Sequence, residues 1–231
     1  MNEKETRKRE CLIGFLTIIF FLASFSSSSG SEISVPNDFG TIQAGIDAAS
    51  PGDTVIIADG TYKGNGNIDL DFKGKSITVK SENGPENCII DCEGNGRGFY
   101  FHTGETQSSI LSGITITNGH ASNGGGIRCS SSPIINNCRI IGNTATSSGG
   151  GIFFALWSAK VTNCKLAGNT AGAGSAVYVS NAKPEIINCT MIGNTATVGA
   201  IGISTSDVTV VPTIVNSILW DEPSIFYYAS F

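Results

Sequence analysis

Residues 124–148 read GGGIRCSSSPIINNCRIIGNTATSS, and residues 149–173 read GGGIFFALWSAKVTNCKLAGNTAGA. Both stretches open on Gly-Gly-Gly-Ile, place Asn-Cys near the middle, and pass through Gly-Asn-Thr-Ala towards the end. The pattern continues. Asn137-Cys138 recurs at 163–164 and 188–189 and then as Asn216-Ser217, in steps of 26, 25 and 28 residues. Gly142-Asn143-Thr144-Ala145 recurs at 168–171 and 193–196, and the triple glycine becomes Gly174-Ser175-Ala176-Val177 one period later. Three anchors moving together at about 25 residues identify an internal repeat, the signature of a solenoid.

Within each period the apolar residues alternate at a spacing of two, which is a strand period and not a helical one. Ile127 and Cys129 match Ile152 and Phe154, Val177 and Val179, then Ile201 and Ile203. Ile135, Val161, Ile186 and Ile214 form a second set. Cys138 with Ile140, Cys164 with Leu166, Cys189 with Met191 and Ser217 with Leu219 form a third. The alternation slips by one residue between the second and third sets, which places a turn at Asn136-Asn137. The expectation is three short strands per coil, stacked about 4.8 Å apart so that like side chains fill the interior in columns. The fold class is therefore an all-β, right-handed parallel β-helix. Asn tolerates the left-handed backbone of tight turns, so a ladder is expected at Asn137, Asn163, Asn188 and Asn216, with a second at Asn143, Asn169 and Asn194.

Outward from this core the repeats run over about 106–220, and less regular strands precede them. Residues 41–50 carry Ile42, Ile46 and Ala49 at helical spacing, which fits a short N-terminal helix capping the open first coil. After Trp220 the repeat stops at an aromatic run, Ile225-Phe226-Tyr227-Tyr228. This tail either folds over the last coil or marks a shortened member of a longer design. Residues 1–30 combine Lys4, Arg7, Lys8 and Arg9 with a 14-residue uncharged run, Leu12 to Phe25, and a small-residue stretch. That is the pattern of a secretory signal, too short for the roughly 20 residues of a membrane span. Residues 31–231 are then the mature β-helix, expected outside the cell or at its surface, without a membrane span and as a monomer.

Residues 1–30 hold four of the 14 basic and three of the 19 acidic residues, so the remainder carries ten Lys and Arg against 16 Asp and Glu, a net of −6. This balance argues against nucleic acid, whose phosphates need a basic footprint. Six cysteines follow residue 30. Three lie in one inward column and read as buried free thiols, because parallel Cβ vectors suit a disulfide poorly. No His, Cys and carboxylate cluster has metal spacing.

Thr41-Ile42-Gln43, Ile46-Asp47-Ala48-Ala49, Gly52-Asp53-Thr54-Val55 and Gly60-Thr61-Tyr62 resemble the opening of pectin-lyase-like β-helix proteins. Ile114-Thr115-Ile116-Thr117-Asn118-Gly119, Ser132-Pro133 and the repeated Gly-Gly-Gly-Ile and Gly-Asn-Thr-Ala blocks resemble secreted bacterial or archaeal β-helix repeat proteins. The repeats are also distantly similar to those of polymorphic outer membrane proteins. The resemblance spans about 35–220 and implies fold more strongly than function. Enzymes it brings to mind are pectate lyases, polygalacturonases and pectin esterases. A calcium-dependent lyase implies several Asp around the ion and a basic proton acceptor. A hydrolase implies two carboxylates about 5–9.5 Å apart.

Thr106 to Pro184 contains no Asp or Glu, so the most regular coils supply neither arrangement. The catalytic candidates lie earlier. Asp69 and Asp71 share a strand face by their spacing of two, as do Asp91 and Glu93, with Arg97 near the second pair. An acid–base or calcium site, if there is one, belongs there; no other cofactor is expected. A binding candidate lies in the coils themselves. Alternation turns Arg128, Phe153 and Tyr178 outward on consecutive coils, beside Gly126, Gly151, Ala176 and Ala200, which are expected to line a shallow groove. Aromatic faces and an Arg fork suit sugar rings and uronate carboxylates. The leading reading is a secreted, non-catalytic scaffold that binds polysaccharide or cell-surface glycan. The alternatives are a polysaccharide lyase or glycoside hydrolase, and a module of a longer surface protein.

Overall fold

The computed structural model describes residues 30–207, 209–221 and 225–229, the last five by their backbone. The N-terminal targeting segment lies outside the described residues.

The chain winds as a parallel β-solenoid. One coil runs Ile110–Ser112, Thr115–Thr117, His120–Asn123 and Ile127–Cys129, and each of these strands belongs to a different sheet. The sheets, called I to IV in the order I (Ile110–Ser112), II (Thr115–Thr117), III (Ile127–Cys129) and IV (His120–Asn123), have eight, seven, six and four strands. Every strand pairing is parallel to the strand one coil away: Ile127 lies beside Ile152, Ile135 beside Val161, and Ile140 beside Leu166.

The three inward columns fill the core as the sequence pattern requires. Phe99, Ile127, Ile152, Val177 and Ile201 form one buried column and Leu111, Ile135, Val161 and Ile186 another. Each such side chain contributes roughly 1.5–3 kcal/mol by leaving water. The first coils are plugged by Phe72, Phe99 and Phe101, whose rings meet at 5.0–6.1 Å.

Four strands per coil, not three, is a correction. Sheet IV consists of His120–Asn123, Thr144–Ser148, Thr170–Ala173 and Thr195–Val198. Its inward side offers little more than Ala145, Ala171 and Ala196 on successive coils, so no hydrophobic alternation announced it. A register shift between Ala145 and Ser148 further obscures its period.

The corners decide which way the strands face. Between sheets I and II a single residue turns left-handed: Gly113, Asn137, Asn163, Asn188 and Asn216 have φ between 48° and 70°. This column forms only a partial side-chain ladder, with Asn188 Nδ2 donating to Asn163 Oδ1 at 3.3 Å and Asn163 Nδ2 reaching Asn136 Oδ1 at 3.0 Å. The continuous ladder is the second one, inside the corner between sheets II and IV. There the Oδ1 of Asn169 accepts from Asn143 N at 3.0 Å and from Asn143 Nδ2 at 3.1 Å, while its Nδ2 donates to Ile140 O and to Asn194 Oδ1, both at 2.9 Å. Gly119 N begins the ladder by donating to Asn143 Oδ1, and the Asp221 carboxylate ends it by accepting from Asn194 N and Nδ2.

The cap helix is Ile42–Ala48, inside the expected 41–50. Thr41 Oγ1 accepts from Ala44 N at its start, and Ile42 and Ile46 are fully buried over the first coil. Its C-terminal end is held by the Lys75 ammonium, which donates to Ile46 O, Asp47 O and Ala49 O at 2.7–2.9 Å. A cation here satisfies carbonyls that no further turn reaches and meets the negative end of the helix.

At the other end the backbone of Ile225–Ala229 does not stop the repeat. It pairs parallel with Ile201–Thr205 as the last strand of sheet III. Among the described residues no helix is long and apolar enough to cross a membrane. The six described cysteines are free and buried. In the Cys138–Cys164–Cys189 column the sulfur is used for coil-to-coil bonding: Cys138 N donates to Cys164 Sγ at 3.3 Å, and the Ser217 hydroxyl takes the same place for Cys189 N at 3.1 Å.

Candidate functional site

Sheet III is built from strands of three to five residues. The alternation that buries Ile127 and Cys129 necessarily turns Arg128 out. The pairings place Tyr100, Arg128, Phe153, Tyr178 and Gly202 side by side on five successive coils. The Leu70–Phe99 bridge sets Asp71 beside Tyr100 at the head of this row.

The outward side chains touch one another along the axis. The rings of Phe153 and Tyr178 stack with centroids 5.5 Å apart and planes 6° from parallel. The Arg128 guanidinium lies 5.8 Å from the Phe153 ring and 5.1 Å from that of Tyr100. Arg97 approaches Tyr100 from its own side, also at 5.1 Å. Such cation–aromatic contacts stabilise by roughly 0.5–1 kcal/mol at exposed sites and more where water is displaced. Neither arginine has a carboxylate within ion-pair distance among the described residues. The Nε atoms of Arg97 and Arg128 are buried without a partner there.

The small residues expected to floor a groove do not do so. Gly126, Gly151, Ala176 and Ala200 are buried, not outward. A Cβ on Gly126 would sit 2.7 Å from Ile140 Cγ2 and 2.8 Å from Gly151 O, so this column faces the core and permits close approach of neighbouring coils. The chain turns a corner at the triple glycine, and alternation cannot be carried back through a corner. A row of small outward residues does exist on the opposite flank. It runs Ser130, Ala155, Ser180 and Ser204, two positions after the aromatic row, with His102 at its head. The face of sheet III is thus an aromatic and cationic ridge beside a low shelf of hydroxyl and methyl groups.

The carboxylate candidates are divided between two places. Asp69 and Glu93 are not on strand faces: each has a left-handed backbone, φ 50° and 53°, at a corner. The shared face inferred from a spacing of two therefore does not hold for either pair. Asp69 pairs by its backbone with Arg97 and accepts from Arg97 N at 3.2 Å. Asp71 accepts from Lys73 N and Thr103 Oγ1, and its Oδ2 lies 3.4 Å from His102 Nε2. Asp91 and Glu93 share Lys63 at 3.0 and 3.5 Å. Asn118, which donates to Asp91, together with the backbone N–H of Glu93 and Lys63, holds the Asp91 carboxyl below its ordinary value against the opposing effect of burial. Arg97 belongs with Tyr100 and Asp69 rather than with Asp91 and Glu93. Among the described residues no group of three His, Cys, Asp or Glu side chains is placed to hold a metal ion.

One carboxylate escaped the sequence reading. Glu105 is buried in the turn after Phe99–Phe101, where it accepts from Gly74 N, Thr103 N, Thr103 Oγ1 and Ser131 Oγ at 2.7–3.1 Å. Burial pushes its pKa up, but the bonds from Ser131, Gly74 and Thr103 outweigh it and hold the carboxyl below its ordinary value. It ties turns of neighbouring coils together. Tyr100 and His102 were missed as members of the face because 28 residues, not 25, separate Phe99 from Ile127.

Compared with known proteins, this chain matches no family model, no curated protein and no solved structure.

Proposed function

We propose that this protein is an exported, non-catalytic β-helix scaffold that binds an acidic glycan along the outer face of sheet III. The observation that carries the reading is the row itself: Tyr100, Phe153 and Tyr178 offer ring faces, and Arg97 and Arg128 lie against Tyr100 with no carboxylate of the described chain to neutralise them. A sugar chain supplies both complements, apolar ring faces for the aromatics and carboxylates or sulfates for the guanidinium forks. The Ser130–Ser204 shelf adds hydroxyl partners at the height of the coils. The basic, apolar and small-residue order of residues 1–30 supports export, and the motifs quoted above support a place among pectin-lyase-like repeat proteins.

Binding of polygalacturonate, alginate and a sulfated glycan, measured by calorimetry, tests the proposal. Phe153→Ala and Tyr178→Ala should weaken binding at least ten-fold, and Arg128→Ala should also reduce its salt dependence. The melting temperature should barely move, since surface changes stay within about 0.5 kcal/mol. Variants that mainly lower the melting temperature would mean that the row is only packing. A second reading, a polysaccharide lyase or hydrolase, rests on Asp71 and His102 at the head of the row. Release of unsaturated or reducing ends from these polymers that Asp71→Asn abolishes would favour it.

A further inference from the structure

Beside the sheet III face, the turns that lead into sheet I differ in length. The turn after Phe101 runs eight residues before Ile110, and the turn after Cys129 runs four before Ile134. The turn after Ala155 projects Leu156 and Trp157 into solvent, 71% and 59% exposed. A short turn between two projecting ones leaves a notch two coil spacings wide, about 9–10 Å. The structure has a hollow of about 550 Å³ there, lined by His102, Glu105, Gln107, Ser130, Ser132 and Trp157 among others.

The walls are fixed. Ser131 Oγ donates to Glu105 Oε2 at 2.7 Å beneath the floor, and Ser132 N donates to Glu105 O. Ser132 Oγ accepts from Ser158 N, which tethers the far wall. The tryptophan is presented at a cost. Leu156 has φ +69°, an uncommon conformation for a bulky residue, and Trp157 N closes a three-residue turn on Ala155 O at 2.9 Å. A left-handed non-glycine residue costs about 1–2 kcal/mol. Here it holds an exposed apolar pair over a hollow rather than burying it in the core.

We propose that this hollow is a separate subsite taking a single pyranose, the terminal ring of a glycan chain, a reading that rests on the glycan-binding role of the sheet III face. Three features of the page select that occupant. The notch is as wide as one sugar ring with its contacts. The indole supplies the apolar wall that a pyranose face needs, and Ser130, Gln107 and His102 line the hollow with hydroxyl, amide and imidazole groups. His102 also joins the hollow to the aromatic row, since its ring lies 4.0 Å from that of Tyr100. A chain on the face can therefore place its end in the hollow, so the protein would read chain ends as well as chain interiors.

Trp157 and Trp220 are the two tryptophans of the chain, so Trp220→Phe leaves Trp157 as the sole indole reporter. Emission of that variant is followed while galacturonic acid, glucuronic acid, galactose, N-acetylglucosamine and trigalacturonate are added. A saturable change with at least one free monosaccharide is expected. Saturation-transfer NMR should show that sugar binding at least ten-fold more weakly to Trp157→Ala and undiminished to Tyr178→Ala. Emission that responds to none of the five sugars would overturn the subsite. If trigalacturonate binds in a Tyr178-dependent way but leaves Trp157 silent, the hollow is refuted and the face reading stands. If a monosaccharide perturbs Trp157 while Phe153→Ala and Tyr178→Ala leave polymer binding intact, the hollow stands and the face reading falls.

Discussion

Replacing Asn169 by Ala should destabilise the solenoid more than any exposed asparagine substitution. The side chain makes four buried hydrogen bonds, to Asn143 N, Asn143 Nδ2, Ile140 O and Asn194 Oδ1. Truncation leaves the Asn143 N–H, one hydrogen of its amide and the Ile140 carbonyl without partners. Asn194 Oδ1 keeps its bond from Asn169 N. Three buried orphans at roughly 1–3 kcal/mol each give a loss of about 3–6 kcal/mol, allowing that water enters part of the space left. That is a large fraction of the 5–15 kcal/mol typical of a folded domain. The control is Asn188→Gly, an exposed corner residue at φ 54° whose backbone glycine adopts freely, for which a change within about 1 kcal/mol is expected. Urea unfolding followed by circular dichroism at 218 nm (a β-sheet band, ~218 nm) gives both values. A loss in Asn169→Ala no larger than that in Asn188→Gly would refute the argument and mean that the ladder amides contribute little to holding coils together.

Lys75→Met keeps the apolar stem but removes three bonds to the end of the cap helix. A loss of about 1–2 kcal/mol in thermal stability is expected, and an unchanged melting temperature would show that water caps the helix equally well. Glu105 has a folded pKa below its ordinary value, so its contribution is complete above the unfolded value of about 4.3 and is lost as pH falls through the folded one. Glu105→Gln should therefore be less stable than the parent at neutral pH and show a shallower decline into acid, and parallel urea midpoints across that range would contradict this. Burial pushes the Cys129 thiol up to about 12, and hydrogen bonding within the column together with burial raises that of Cys164 well above its ordinary value. Alkylation at pH 8 (thiol reference pKa about 8.5) should be slow in the folded protein and complete in urea; a disulfide within the Cys138–Cys164–Cys189 column in the peptide map would contradict the free-thiol assignment.

The columns were legible because burial on a parallel stack demands the same residue type at the same place in each coil. Ile127, Ile152 and Val177 carry that demand without ambiguity, and Thr41 with Ile42 and Ile46 marks the cap helix by an equally local rule. Sheet IV was not legible, because Ala145, Ala171 and Ala196 bury too little apolar surface to write a period into the chain. Facing was lost wherever the backbone turned a corner. Asp69, Glu93 and Gly126 were all assigned by alternation carried through residues at which the chain bends, and all three face elsewhere. The Arg128–Phe153–Tyr178 row was legible since no corner interrupts it, whereas its extension to Tyr100 was hidden by the longer preceding coil. The role of Glu105 depends on Gly74 and Ser131, which no spacing rule connects to it.

The ladder that runs from Gly119 through Asn143, Asn169 and Asn194 to Asp221 has a direction. Each amide oxygen looks back toward the preceding coil and each amide nitrogen looks forward, so an interior rung is interchangeable with its neighbours but the last rung is not. It must meet an acceptor, and the Asp221 carboxylate supplies a purely accepting end. The length of such a solenoid is consequently quantised. Excision or duplication of one whole period between equivalent asparagines rejoins the rungs without stranding an amide, whereas a fractional insertion leaves a forward-facing nitrogen against nothing. Gene duplication in units of a coil would pass through this structure as a neutral edit, and the terminal acid would travel with the end of the stack as its fixed terminator.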